Sequence, residues 1–532
     1  MGRLSRVVVL GFACGVGGCA SLAWTEHNPQ LGPGGVVADP TKAYTLSETL
    51  DRPADDQYVV LFAFSGGGKR SASFGYGALE AANGIRLDEG ATLAGQIDVV
   101  SGVSGGSLTA AAFALYREKL FADGALVDPH GGTHASYMDF LDSDTNASIL
   151  GIYLEPWRWQ WMINPHVGTN DEMEQTYETA LLGDTRFVDL AGRGRPYLVV
   201  QATDLDAQQP FTFTQTDFDL ICSDLSTVKV SRAVAASNGF PVLFSPIGLE
   251  MHSYSQSLIG DGTPDPQGPC PDLSWRRSDT AGPFTRQTLL AQRAALYSPK
   301  GMPKDGAYLH LADGGVSDNL ALRGIASIWT RLGMESASAG CMDAVAPDAG
   351  NAVCARLGKL HLANVRHILV VSVDGEAEPD RTSGINVPVL GGLSRIAGAT
   401  LNSVIDSSNL STLPLAADAT EDFRRAIGVL RCRAAGIDGL ICATNPPAEY
   451  LPQATFAHVS LSDWARKNPG PGAEVADSPT GLTLPSGDAA KLAAAGKAAF
   501  LSNPDINCFL RDAGAATYAP VSRYCPAANP PR

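Results

Sequence analysis

The chain of 532 residues is 45% hydrophobic and 18% charged, with a formal net charge of −16. A chain that acidic lacks the basic face that a nucleic-acid backbone needs, and it does not adhere wholesale to anionic lipid headgroups. The length admits roughly two to four domains, but the turns that carry chemistry run from position 66 to position 315, so one large domain with insertions and a C-terminal extension is simpler.

Residues 1–18 read as a targeting segment. Arg3 and Arg6 give a positive start, and Val7 to Val16 form an apolar run too short to span a bilayer. The run closes on Val16-Gly17-Gly18-Cys19, which resembles a bacterial lipoprotein signal, where the cysteine is acylated and becomes the new N-terminus. Cys14 is the rival acceptor, made poorer by Gly11 three positions before it, and an ordinary secretory signal is the plainer alternative. Ala20 rather than Asp follows Cys19, which directs such a protein to the outer membrane, facing the periplasm. Removing residues 1–18 takes both arginines and moves the charge from −16 to −18. Several acyl chains on one cysteine anchor stably, where a single chain does not. Residues 19–56, rich in Pro, Gly and polar side chains, read as a tether. Residues 57–374 read as the main domain with its insertions, and 375–532 as an extension packed on it.

Tyr58 to Phe64 is an apolar strand that ends at three glycines, and Ser71 to Asn83 follows with helical spacing. Gln96 to Val100 is a second strand, and Gly106 to Leu120 is a helix rich in Ala and Leu. Two strand–glycine turn–helix units in series predict an α/β fold with a mainly parallel sheet. Tyr197 to Thr203, Phe211 to Phe213, Leu249 to Ser253, Tyr308 to Ala312 and Ile368 to Val373 read as further strands, and Val228 to Ala236 and Leu320 to Leu332 as helices. Leu126 to Asn170, Asp261 to Thr285 and Ser336 to Arg356 look like insertions. The first carries Trp157, Trp159 and Trp161, which either pack in a core or form a lipid-facing lip. The tail shows two helical patterns, Leu393 to Ser408 and Asp422 to Arg433, then a strand, Thr455 to Leu461, and a helix near Ala489 to Leu501. Setting aside Cys14 and Cys19 leaves eight of the ten cysteines, none in a zinc-type CxxC pair, so disulfides in an oxidising compartment are expected. Sequential pairing (222–270, 341–354, 432–442, 508–525) closes the shortest loops, although spacing alone does not fix connectivity.

The G-x-S-x-G pattern Gly102-Val103-Ser104-Gly105-Gly106 puts Ser104 on a sharp strand-to-helix turn. Small neighbours tolerate the strained backbone there, and the following helix aims its free N–H groups at the hydroxyl. Gly66-Gly67-Gly68 lets backbone N–H groups converge where an oxyanion forms. Lys69 and Arg70 either support that turn or meet a phosphate headgroup; a nucleotide P-loop fails, because no Gly-Lys-[Ser/Thr] stands at the required spacing. Asp313-Gly314-Gly315 ends a strand and offers Asp313 as a base for Ser104. A carboxylate with an ordinary pKa near ~3.9 is feeble in that role, and desolvation strengthens it. Asp217, Asp219 and Asp224 read as a solvated acidic loop in preference to a cation site.

Together these residues resemble the patatin-like phospholipase family, which combines a GGGxR/K oxyanion loop, a GxSxG serine and a DGG aspartate in a Ser–Asp dyad. The likeness covers about residues 57–325, and Ala236-Ser237-Asn238-Gly239-Phe240-Pro241-Val242-Leu243-Phe244-Ser245-Pro246 is similar to a fourth family block, A-S-x-x-x-P-x-x-F-x-P. The resemblance implies a three-layer α/β/α sandwich with disulfide-bearing insertions. It implies Ser104 as nucleophile, Asp313 as its base, and Gly66, Gly67 and Gly68 as oxyanion hole. It also implies a lipid or other acyl-ester substrate, with no cofactor and no metal. Ser65 stands where many members carry Asp or Gly, and Ala321 replaces the usual proline after Asn319. The implied activity is a serine acyl hydrolase of phospholipase A, lysophospholipase or esterase type. An acyltransferase on the same dyad, or a lipid-binding scaffold without turnover, is the alternative. A Ser–Asp–His triad also stays open on chain order, because His361, His367 and His458 follow Asp313. His367 reads as structural, and His310 as packed within the strand before Asp313. If Cys19 carries the anchor, intact-mass measurement finds an acylated cysteine at the mature N-terminus, and Cys19→Ser moves the protein out of the membrane fraction.

Overall fold

Seven consecutive apolar residues, Tyr58–Phe64, form strand β1, and every one is buried, as expected of a strand covered on both faces inside a parallel sheet. The computed structural model describes residues 27–32, 43–50, 52–87, 90–145, 168–241, 244–252, 297, 308–329, 358–376, 393–437, 439–515 and 525. The calls on Cys14, Cys19, the three tryptophans, Cys270, Cys341 and Cys354 fall outside those residues. Among the described residues no helix is long and apolar enough to cross a membrane.

Helix α1 (Gly68–Gly84) follows β1; β2 (Ile97–Val103) and helix α2 (Gly105–Tyr116) repeat the unit. Strands β3 (Tyr197–Asp204) and β4 (Gln209–Thr212), helix α3 (Val230–Asn238), and strands β5 (Ile247–Glu250), β6 (Tyr308–Asp313) and β7 (His367–Asp374) come next. Helix α4 (Leu393–Ala434), strand β8 (Gln453–Ser460) and helix α5 (Asp488–Ser502) complete the parts that matter for the site. The eight strands make one sheet in the order β8-β7-β1-β2-β3-β6-β5, with β4 also on β3. The run from β8 to β3 is parallel, whereas β6 runs against β3, β5 against β6 and β4 against β3. With helices flanking this mainly parallel sheet, the fold is the expected α/β/α sandwich.

The C-terminal extension is part of this sheet. Strand β8 pairs with β7 along its whole length, and helix α5 crosses α1 with almost no space between the backbones. A Cβ on Gly77 would lie 1.8 Å from the Ala493 carbonyl oxygen, and one on Gly496 would lie 2.0 Å from that of Phe74. The two glycines are what let the helices meet. Helix α4 is one 42-residue helix, not the two expected. Pro414 lies inside it, and the helix runs on through the one main-chain donor that the proline removes.

The tether expectation fails for its described parts. Asn28 is buried and donates to Ser223 Oγ and the Glu250 carbonyl. Tyr44 is buried and stacks on Tyr197. Arg52 pairs with Asp98 at 2.9 Å, and Arg195 binds the other oxygen of that carboxylate at 2.8 Å. Tyr44 and Arg52 are therefore pinned at the starts of β3 and β2 by aromatic stacking and buried ion pairs. The acidic loop is likewise not solvated: Asp217 is buried and accepts from the Thr212 N–H and hydroxyl, while Asp224 caps Ser226.

Disulfides Cys432–Cys442 and Cys508–Cys525 match the sequential pairing. Both lie in the extension and not in an insertion. Cys222 is also disulfide-bonded.

Gly77→Ala is expected to lower stability by about 1–3 kcal/mol, because the clash with Ala493 outweighs the ~1 kcal/mol that alanine contributes to a helix interior. Urea unfolding of the two proteins measures it.

Candidate active site

Register brings the three glycine-bearing turns to one level. Phe64 lies opposite Gly102 in the β1–β2 pair, Val103 opposite Gln201 in β2–β3, and Asp313 opposite Ala202 in β3–β6. Because β6 descends while its neighbours ascend, it ends at the level where β1 and β2 end. Positions 66, 104 and 313 are thereby gathered at one point from distant parts of the chain.

Ser104 adopts φ 48° and ψ −129°, a conformation that costs a non-glycine residue energy and recurs at functional turns. The strain is held by hydrogen bonds on both sides of the residue. Its N–H donates to Ser237 Oγ at 2.8 Å, and its carbonyl accepts from Asn238 Nδ2 at 2.9 Å and from Ser107 Oγ at 2.6 Å. Ser237 and Asn238 end helix α3, within the fourth sequence block. The sequence signals that block but not its purpose, which here is to brace the elbow.

The Ser104 hydroxyl donates to Asp313 Oδ2 at 2.8 Å. Asp313 Oδ1 accepts the Gly315 N–H at 2.8 Å, and its main-chain carbonyl accepts from Thr203 Oγ1 at 2.8 Å. Ser104 and Asp313 are 9% and 6% exposed, so the pair is desolvated yet reachable. Burial pushes the Asp313 carboxyl up to about 6, and the hydrogen bonds from Gly315 and Ser104 oppose the rise. This is the stronger base that the site chemistry asks for.

The partner of Ser104 is a carboxylate and not a histidine. His458 lies on β8 with Ser372 Oγ 3.2 Å from its Nδ1, and His367 stacks on Tyr58. His310 is a correction: it is exposed and reaches Asp206 at 2.8 Å, because its side chain leaves the outward face of β6.

The glycine loop is placed beside Ser104, but its three N–H groups are not equivalent. That of Gly66 donates to the Asn319 carbonyl at 2.9 Å and is occupied. Gly67 and Gly68, with φ 129° and 62°, stand at the start of α1, where the first N–H groups have no partner within the helix.

Lys69 and Arg70 do not project towards a headgroup. Lys69 Nζ donates to the carbonyls of Phe140 and Ser143, at 2.7 and 2.6 Å, and burial lowers its pKa to about 8. Arg70 donates to the carbonyls of Gly375 and Ser478. Both are buried cations that fasten the start of α1 to neighbouring segments. Among the described residues no group of three or more His, Cys, Asp or Glu side chains could hold a metal ion.

The strain at position 104 is separable from the chemistry. Ser104→Gly is expected to be more stable than Ser104→Ala by roughly 1 kcal/mol, because only glycine adopts this conformation without cost. Thermal melts of the two variants check it.

Residues 62–324 match the family model described as patatin-like phospholipase. No curated protein matches the chain. Among solved structures, human GIVD cytosolic phospholipase A2 aligns at 12% sequence identity and a TM-score of 0.35, over 89% of this chain and 65% of that one.

Proposed function

From a chain whose residues 62–324 are a patatin-like phospholipase domain, we propose a lipid acyl hydrolase that works by a Ser104–Asp313 dyad. The hydrogen bond of 2.8 Å between Ser104 Oγ and Asp313 Oδ2, at a strained elbow, carries the reading. Asp313 takes the hydroxyl proton as Ser104 Oγ attacks an ester carbonyl. The tetrahedral oxyanion is stabilised by the Gly67 and Gly68 N–H groups, while Gly66 serves the loop through its bond to Asn319. The alcohol or lysolipid leaves with the proton from Asp313. Water, deprotonated by the same carboxylate, then cleaves the acyl-serine and restores the hydroxyl. On this reading the enzyme meets its lipid at the periplasmic side of the outer membrane, held there through acylated Cys19.

Ser104→Ala and Asp313→Asn are each expected to lower kcat/KM on a p-nitrophenyl ester by roughly 10⁴-fold or more, and a fluorophosphonate probe is expected to label the native serine but not the alanine variant. Esterase activity retained in Ser104→Ala ends the reading. Failure of the native serine to label would favour a binding scaffold, and product analysis separates hydrolysis from transfer.

The base must be ionised, so activity falls as pH drops through the Asp313 pKa. A kcat/KM profile with an acid limb near about 6 is expected, well above an ordinary carboxylate.

A further inference from the structure

We propose that Glu376 and Asn409 are positioning residues for the Ser104 site, holding Asn319 in place from the C-terminal extension. The inference rests on the acyl-transfer reading above. Both residues lie outside the segment 62–324 that matches the family, so the device belongs to this chain's own tail.

Asn319 stands between the two halves of the site. Its carbonyl accepts the Gly66 N–H, and its side-chain oxygen fills the space beside Gly66 and Gly315. A Cβ at those two glycines would fall 2.2 and 2.9 Å from that oxygen. Gly315 in turn donates to Asp313. Movement of Asn319 therefore disturbs the glycine loop and the aspartate turn together.

The other end of the Asn319 amide is held from outside the site. Its Nδ2 donates to Glu376 Oε2 at 3.4 Å, and the same oxygen accepts from Asn409 Nδ2 at 2.8 Å. Glu376 is fixed to the sheet by its own N–H, which donates to Asp374 Oδ1 at the end of β7. Asn409 sits on α4, where its neighbours grip the aspartate turn. Ser408 Oγ donates to the Ser317 carbonyl at 2.9 Å, and Arg323 donates to Thr412 and Ser411 at 3.1 and 3.2 Å. Ser408, Asn409, Ser411 and Thr412 thus form one polar stretch of α4, every member bonded to Glu376, to Ser317 in the turn after Asp313 or to Arg323 at the start of the helix that follows. A helix that only covered a core would present apolar side chains there. Hydrogen bonds at this density fix position, and position is what an oxyanion site needs.

Steady-state kinetics on p-nitrophenyl butyrate with the full chain test the relay. Glu376→Ala and Asn409→Ala are expected to lower kcat about tenfold or more, with KM within twofold and melting temperature unchanged. Glu376→Gln keeps an acceptor oxygen for both amides and is expected to restore most of kcat. Leu410→Ala, next to Asn409 on the solvent side of the helix and 78% exposed, is expected to match the native protein. Native kcat in Glu376→Ala and Asn409→Ala, a Gln variant as slow as the Ala variant, or losses that merely follow a lower melting temperature would each overturn the relay. Amide hydrogen exchange supplies a readout that does not need turnover. Residues 65–68 and 313–319 are expected to exchange faster in Glu376→Ala and Asn409→Ala but not in Glu376→Gln, and unchanged exchange overturns the relay. A native protein that neither turns over nor labels with fluorophosphonate defeats the acyl-transfer reading instead, and leaves the exchange result to decide the relay.

Discussion

The hydrogen bond between Ser104 and Asp313 joins groups 209 positions apart in a place largely closed to water, and much of the fold is arranged around making that tolerable. A buried carboxylate without donors would be costly. Here the Gly315 N–H and the Ser104 hydroxyl meet its two oxygens, while desolvation still keeps its pKa well above the ordinary range. The serine side is equally constrained. Its strained backbone is fixed by Ser237, Asn238 and Ser107, so the residue does not relax towards a conformation that would turn the hydroxyl away.

The geometry follows from one departure from parallel order. A sheet built entirely of parallel strands would deliver every turn from the same side by the same strand-to-helix route. Strand β6 instead runs against β3 and stops opposite Ala202, which sets the aspartate turn beside the serine elbow with only β3 between. The C-terminal part of the chain then closes the other side. Strand β8 extends the sheet beyond β7, and α5 meets α1 through the Gly77 and Gly496 contacts.

Much of this was legible in the sequence, and the limits are physical. The apolar runs before Gly66, Ser104 and Asp313 marked the strand ends, although only the first, Tyr58–Phe64, is an unbroken apolar stretch on a strand paired in parallel on both sides. The three motifs marked the turns, because only small residues allow them. Strand direction was not legible, since Tyr308–Asp313 reads the same whether it ascends or descends. The use of the Gly66 N–H was hidden too, because a contact with the Asn319 carbonyl involves no side chain. Lys69 and Arg70 left two uses open, support of the turn or a headgroup contact, because the carbonyls of Phe140, Ser143, Gly375 and Ser478 that hold them come from other segments. The described N-terminal pieces misled for a related reason. Composition registers Pro and Gly, but not that Tyr44 and Arg52 would find Tyr197 and Asp98.

Strand β8 has a consequence for how the protein can be divided. A fragment ending near residue 374, where the family match and the motifs are left behind, would strip the outermost strand from β7. The bared edge would be a row of unpaired main-chain donors and acceptors on a strand that carries the apolar run Ile368 to Val371, a template for self-association between molecules. The helix crossing at Gly77 would lose its partner at the same cut, uncovering small-residue surface shaped for nothing else. Proteolytic trimming of the tail should therefore yield aggregates rather than a smaller working unit.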